Sequence, residues 1–309
     1  MCNLKQIVMN RLFLTLLALI VTFPAFAQTR QNLYDKFCDV VSRRDIAATA
    51  ALMAEWEKLY PDDAELFSVR ANYHFTNAIT TITVLCDSVP SDNRECYALV
   101  DSLGEVKEYM YYETRINRAK IDSTTAILTQ GIAKHPDRLD FRLGKVTVHL
   151  QANENALAVQ EVEAALRRSI VNKNKWYNTL DEPIETDGIS YLRGCIQDYF
   201  SQLIDSNDFA AAERMVETCL RYYPREAVFI TNKGTLRYFA GDLRAALGLY
   251  LAARDIAPAD MLIANNIANV YVDMGDKENA LKYYHIVAGS NDEYYAEKAM
   301  QAIKELNAK

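Results

Sequence analysis

The stretch NNIAN (265–269) places three primary amides within five residues. Each amide carries two N–H donors and a carbonyl acceptor, the complement of an extended peptide backbone. Asn is a poor helix former, so three of them inside an otherwise helical pattern need another use. Two uses are open: holding a bound backbone, or bonding neighbouring helices and water. A second polar set lies upstream in TNKGTLRYF (231–239), with Asn232, Thr235 and Tyr238.

Other chemistry is hard to assemble from this chain. His74, His135, His149 and His285 form no i, i+3 or i, i+4 pair, and no H-E-x-x-H occurs. The glycine patterns of nucleotide-binding loops and the G-x-S-x-G elbow are absent. DSNDF (205–209) starts like a calcium loop but lacks its later Gly and Glu, so it reads as a turn and helix cap. No C-x-x-C occurs. Cys86 and Cys96 flank the turn-rich DSVPSDNRE, and both a disulfide and two buried free thiols suit that pair. These readings give no metal, no cofactor and no enzyme. An active site in a loop near Trp176 and Glu182 is the enzymatic alternative, and no residue pattern favours it.

The amides sit within a larger regularity. GDLRAALGLYLAARDIAPAD (241–260) and GDKENALKYYHIVAGSND (275–292) match at an offset of 34 residues: Gly241 to Gly275, Asp242 to Asp276, Ala246 to Ala280, Tyr250 to Tyr284. Residues 227–240 read as a helix that Gly241 ends in a left-handed conformation. Asp242 then caps an antiparallel helix whose Leu243, Ala246, Leu247, Tyr250 and Ala253 form one apolar stripe, up to Pro258. The next unit repeats the plan, with Ala264, Ile267, Ala268 and Tyr271 on its first helix.

A helix–turn–helix period of 34 residues with these positions resembles the tetratricopeptide repeat. The matching residues are Gly234, Ala246, Tyr250, Ala253 and Pro258 in 227–260, and Ala268, Tyr271, Ala280 and Tyr284 in 261–294. Lys233, Arg237, Val287 and Asp292 depart from the pattern. The resemblance implies an all-α, tetratricopeptide-like helical-hairpin solenoid whose first helices line a groove that binds a protein or peptide. Carried over residue by residue, the groove candidates are Asn232, Thr235, Tyr238, Asn265, Asn266, Asn269 and Asp273. Some family members clamp a C-terminal carboxylate with Lys and Asn. Here Thr231 and Asn265 stand where the Lys is needed, so that specificity is not carried over.

Helix-then-proline punctuation recurs at Pro61, Pro136 and Pro224. Asp45 and Asp208 read as caps of further second helices, and 194–204 as a first helix with Ile196, Tyr199, Phe200 and Leu203 on one stripe. The expected architecture is a single solenoid over 28–309, with insertions at about 86–116 and 171–188 and a capping helix over 295–307. The first insertion reads as a small β-hairpin (about 96–112) around the turn D-S-L-G, and the second as an irregular loop.

The N-terminus reads as a signal peptide over 1–27: Lys5 and Arg11, a short apolar run, then Ala25-Phe26-Ala27. That pattern predicts an exported protein, periplasmic or secreted, with no integral membrane span once the leader is removed. Loss of two basic groups and no acid takes the formal net charge from −7 to −9. Such a chain repels phosphate backbones, which argues against nucleic acid as a partner. The sequence is silent on oligomeric state. The 19 tyrosines keep a glycan-binding protein of the cell envelope as the alternative, through pairs such as Tyr111-Tyr112, Tyr222-Tyr223 and Tyr294-Tyr295.

Overall fold

A computed structural model describes residues 30–308 except 44, 77, 93, 185 and 186, so the expected leader lies outside the described residues. The chain divides into two compact units, with the boundary in sequence at His135/Pro136. Among the described residues, no helix is long and apolar enough to cross a membrane.

In the first unit, helix α1 (30–42) is followed by α2 (Ile46–Leu59) and α3 (Ala64–Thr76), then by strands β1 (Ile79–Cys86), β2 (Tyr97–Val100) and β3 (Val106–Ile116), and by α4 (Arg118–Lys134). Asp45 caps α2 as expected, accepting from the Ala48 N–H. Leu33 and Phe37, Leu52 and Trp56, and Leu66 and Val69 bring α1, α2 and α3 around one core. Trp56 is fully buried, and its indole N–H donates to Asp63 at 2.9 Å, so the ring packs without leaving a polar atom orphaned. Helices α3 and α4 pack together, and the sheet is inserted between them in the chain.

The expected hairpin of 96–112 is part of a larger element. β2 and β3 pair antiparallel around the D-S-L-G turn, where Asp101 accepts from the Leu103 and Glu105 N–H groups and Gly104 takes φ 81°. β1, the uncharged run ITTITVLC, adds a third strand on the other side, giving the order β1-β3-β2. The register also favours the free-thiol reading of Cys86 and Cys96. Cys86 stands opposite Tyr109 of β3, and Cys96 immediately precedes the strand on the far side of β3. Two strand spacings amount to about 9–10 Å, beyond the roughly 4.4–6.8 Å that a disulfide spans between Cα atoms. Both thiols are free, and Cys86 Sγ donates instead to backbone carbonyls of Ser88 and Tyr109.

The second unit is helical: α5 (Leu139–Gln151), α6 (Asn155–Val171), α7 (Gly188–Asp205), α8 (Phe209–Tyr222), α9 (Ala227–Phe239), α10 (Leu243–Ile256), α11 (Met261–Asp273), α12 (Lys277–Ala288) and α13 (Glu293–Ala308). The first eight pair as successive hairpins of tetratricopeptide type. One turn joins each pair. Its left-handed residue is Asn153, Asn207, Gly241 or Gly275, with φ 58°, 59°, 77° and 76°. The next N–H returns to the carbonyl five residues back each time, at 2.8 to 2.9 Å. Asn and Gly are the residues that take this backbone at little cost. The Gly-Asp signature therefore has an Asn-Asp and an Asn-Glu form, and the repeat reaches back to α5. Asp208, Asp242 and Asp276 cap the second helices through the N–H groups of Ala211, Ala245 and Asn279.

The proline punctuation is equally uniform. Tyr60, His135, Tyr223 and Ala257 each precede a proline and end a helix with φ between −142° and −125° and ψ between 67° and 72°. Proline bars the residue before it from continuing a helix, which fixes this exit geometry. The last helix, α13, packs on the final hairpin, with Ala296 and Ala299 buried.

Between α6 and α7, the described residues of the second insertion are irregular apart from a short 3-10 turn (Thr179–Asp181), with Lys173, Asn174, Leu180 and Asp181 at positive φ. Its Trp176 is only 2% exposed and belongs to the core that α5 to α9 share. The indole stacks under the Arg142 guanidinium at 5.9 Å. Of the two residues named for the enzymatic alternative, Trp176 is therefore core, whereas Glu182 is exposed.

Candidate groove on the first helices

The groove candidates converge. A cavity of about 340 Å³ is bordered by α7, α9 and α11, with Tyr250 of α10 against it. Asn232, Thr235, Tyr238, Asn266 and Asn269 all border it. Asn265 does not, and Asp273 reaches it through Tyr238, whose hydroxyl donates to the Asp273 carboxylate at 2.5 Å.

Local sequence explains how these groups are held. A side chain at Gly234 would place Cβ 2.7 Å from the Tyr250 ring, so glycine lets α10 close on α9. Tyr250 is then buried, and its hydroxyl shares a hydrogen bond with Thr235 at 3.0 Å. One repeat on, Tyr284 donates to Asn269 at 2.6 Å. Position by position, the aromatic of the second helix anchors the polar residue of the first. A further bond links successive repeats: Asn232 donates to Gln197 at 2.8 Å.

The two uses open to the amides are therefore divided among them. Asn232 and Asn269 are bonded to neighbouring helices. Among the described residues no hydrogen bond engages the amide of Asn265 or Asn266, and that of Asn266 faces the cavity.

Sequence reasoning missed the α7 wall, formed by Gln197, Phe200, Ser201, Ile204 and Asp205. The signal was present. Subtracting 34 from Thr231, Thr235, Tyr238 and Phe239 lands on Gln197, Ser201, Ile204 and Asp205. Of the tyrosine pairs, Tyr222 and Tyr223 are engaged internally, with Glu163 and with Ser169 and Asn174. Among the described residues no group of three His, Cys, Asp or Glu side chains is placed to hold a metal ion.

Burial pushes the Tyr199 hydroxyl up to about 12, while the Asp273 hydrogen bond, aided by burial, lifts Tyr238 to about 12. Burial raises Tyr250 and Tyr284 as well. Groups whose folded pKa lies above the unfolded value stabilise the fold fully below that unfolded value, and the contribution is lost as pH rises through the folded one. The second unit should therefore lose stability between pH 10 and about 12. Urea midpoints across that range, followed together with tyrosinate absorbance, check this. A midpoint that stays flat to pH 12 while the tyrosines titrate normally contradicts it.

No family model and no curated protein matches the sequence. Among solved structures, the chain is similar to PilW, a widely conserved type IV pilus biogenesis factor, at 11% identity over 87% of this chain and 98% of that one, TM-score 0.40. It is similar to a tetratricopeptide repeat protein from Parabacteroides merdae at 12% identity over 90% and 89%, TM-score 0.40. A thermophilic tetratricopeptide protein from Thermus thermophilus is matched at 14% identity over 60% and 92%, TM-score 0.37. By its own turns, caps and spacing, the second unit folds as tetratricopeptide-like helical hairpins whose first helices share one groove.

Proposed function

We propose that this protein is a non-catalytic scaffold that holds a protein or peptide partner in the groove of α7, α9 and α11. The observation that carries this reading is the uncommitted amide of Asn266 at a cavity built from equivalent positions of three successive first helices. An unpaired amide beside apolar Leu262 and Phe239 suits an extended backbone with an apolar side chain. The leader-like N-terminus supports export to the periplasm or the outside of the cell as the setting of this role.

Asn266→Ala removes the amide and improves helix propensity, so it should leave folding intact. Affinity capture by the parent and by this variant, with identification by mass spectrometry, gives the test. The expected result is a partner that the parent enriches and the variant retains at least about fivefold less, in line with one hydrogen bond of roughly 1 kcal/mol. Equal recovery by a variant of unchanged helicity shows that the groove does not hold the partner.

A further inference from the structure

We infer that the groove receives a cationic side chain, Arg or Lys on an extended segment of the partner, at the end bordered by Asp205 and Phe239. This rests on the reading of the groove as a peptide site and adds the chemistry of its ligand.

Charge and aromatic surface coincide there. Among the described residues, Asp205 is the only charged one bordering the cavity, and no Lys, Arg or His borders it. Its carboxylate is exposed, and among the described residues no hydrogen bond or ion pair engages it. Of the cations on α7 and α9, Arg193 pairs with Glu226, Arg237 pairs with Glu213, and Lys233 does not border the cavity. Helix α11 carries none.

Beside the acid lies an aromatic row. Phe239 is 53% exposed, and its ring lies 5.8 Å from Phe209 and 6.0 Å from Tyr238. Exposed aromatic faces in contact with solvent are poor company for an anion and good company for a cation, which the ring quadrupole attracts. Asp205, Phe239 and Asp273 are spaced by 34 residues each, so acid, aromatic and acid occupy the same position on α7, α9 and α11. Asp273 orients the Tyr238 phenol and brings a second negative charge to that row. A guanidinium or ammonium group thus meets an unpaired carboxylate and aromatic faces, with no resident cation to displace. A partner carboxylate at this end would meet like charge and no cation.

The test uses the full chain against a displayed library of random peptides. One selected binder is then made in three forms: with its basic residue as Arg, with citrulline in its place (the same shape without charge), and with Glu. Binders enriched in Arg or Lys are expected. Citrulline should weaken binding about tenfold or more, Glu further, and the Arg peptide should lose affinity as salt is added. Asp205→Asn should weaken the Arg form about tenfold and leave the citrulline form unchanged. Asp255→Asn, an exposed acid on α10, serves as the control. Binders that depend on Asn266 yet show no basic enrichment, or bind equally as citrulline, overturn this inference and leave the groove reading standing. Binders indifferent to both Asn266→Ala and Phe239→Ala, or a library without binders, overturn both.

Discussion

Trp176→Ala should cost the second unit about 3–5 kcal/mol, the range for emptying a buried Trp site. At roughly 2–4 °C per kcal/mol for a unit of this size, its melting transition should fall by about 10 °C or more. The ring is 2% exposed and packs within the core shared by α5 to α9, so little of the space it leaves can be filled by solvent-facing side chains. Among the described residues its indole N–H has no hydrogen-bond partner, so the loss is one of packing and of the Arg142 stack. Trp176→Phe should recover much of it. Far-UV circular dichroism against temperature or urea measures both variants. A cost under about 1 kcal/mol would mean the loop over 172–187 lies on the unit without being built into it.

The second large effect concerns the start of α7, and its sign is unusual. Gly→Ala within a helix ordinarily stabilises by roughly 1 kcal/mol. At Gly188 a Cβ would stand 2.1 Å from the Asn174 carbonyl oxygen and 3.1 Å from Trp176 Cδ1. Neither neighbour yields easily, since one is backbone and the other is a buried ring. Gly188→Ala should therefore destabilise by about 2–3 kcal/mol through overpacking. Gly194 lies on the same helix with no described atom within 4 Å of a built Cβ. Gly194→Ala should stabilise by about 0.5–1 kcal/mol. Opposite signs in urea titrations of the two variants are the expected outcome. Two stabilising substitutions would show that the loop does not press on α7.

These two positions also mark where sequence reading reaches its limit. The period, its turns and its caps are local: Gly241 and Gly275 need φ near 77°, and Asp242 and Asp276 answer free N–H groups three residues on. Such features are legible because the chemistry sits within a few residues. The burial of Trp176 is not local. It depends on α5 to α9 closing over a loop rich in Asn, Asp and Pro, whose composition signals exposure. β1 escaped for a related reason. Its sequence, ITTITVLC, keeps no strict apolar–polar alternation, although Ile, Thr and Val favour strands. The choice between a disulfide and free thiols at Cys86 and Cys96 rests on register, which places β3 between the two thiols. That Asn232, Thr235, Tyr238, Asn266 and Asn269 border one cavity agrees with the positions the tetratricopeptide resemblance implied, whereas the division of labour among the amides was not legible. That division depends on which neighbouring side chain each amide meets.

The central claim is that the partner lies along the first helices. Site-specific photocrosslinking addresses it most directly. A benzophenone amino acid is placed at Asn266, which borders the cavity, or at Lys282, which is exposed on α12 outside it. Irradiation in the protein's own cell extract should give a discrete adduct from position 266 and none from 282. An adduct from 282 with none from 266 would contradict the groove assignment.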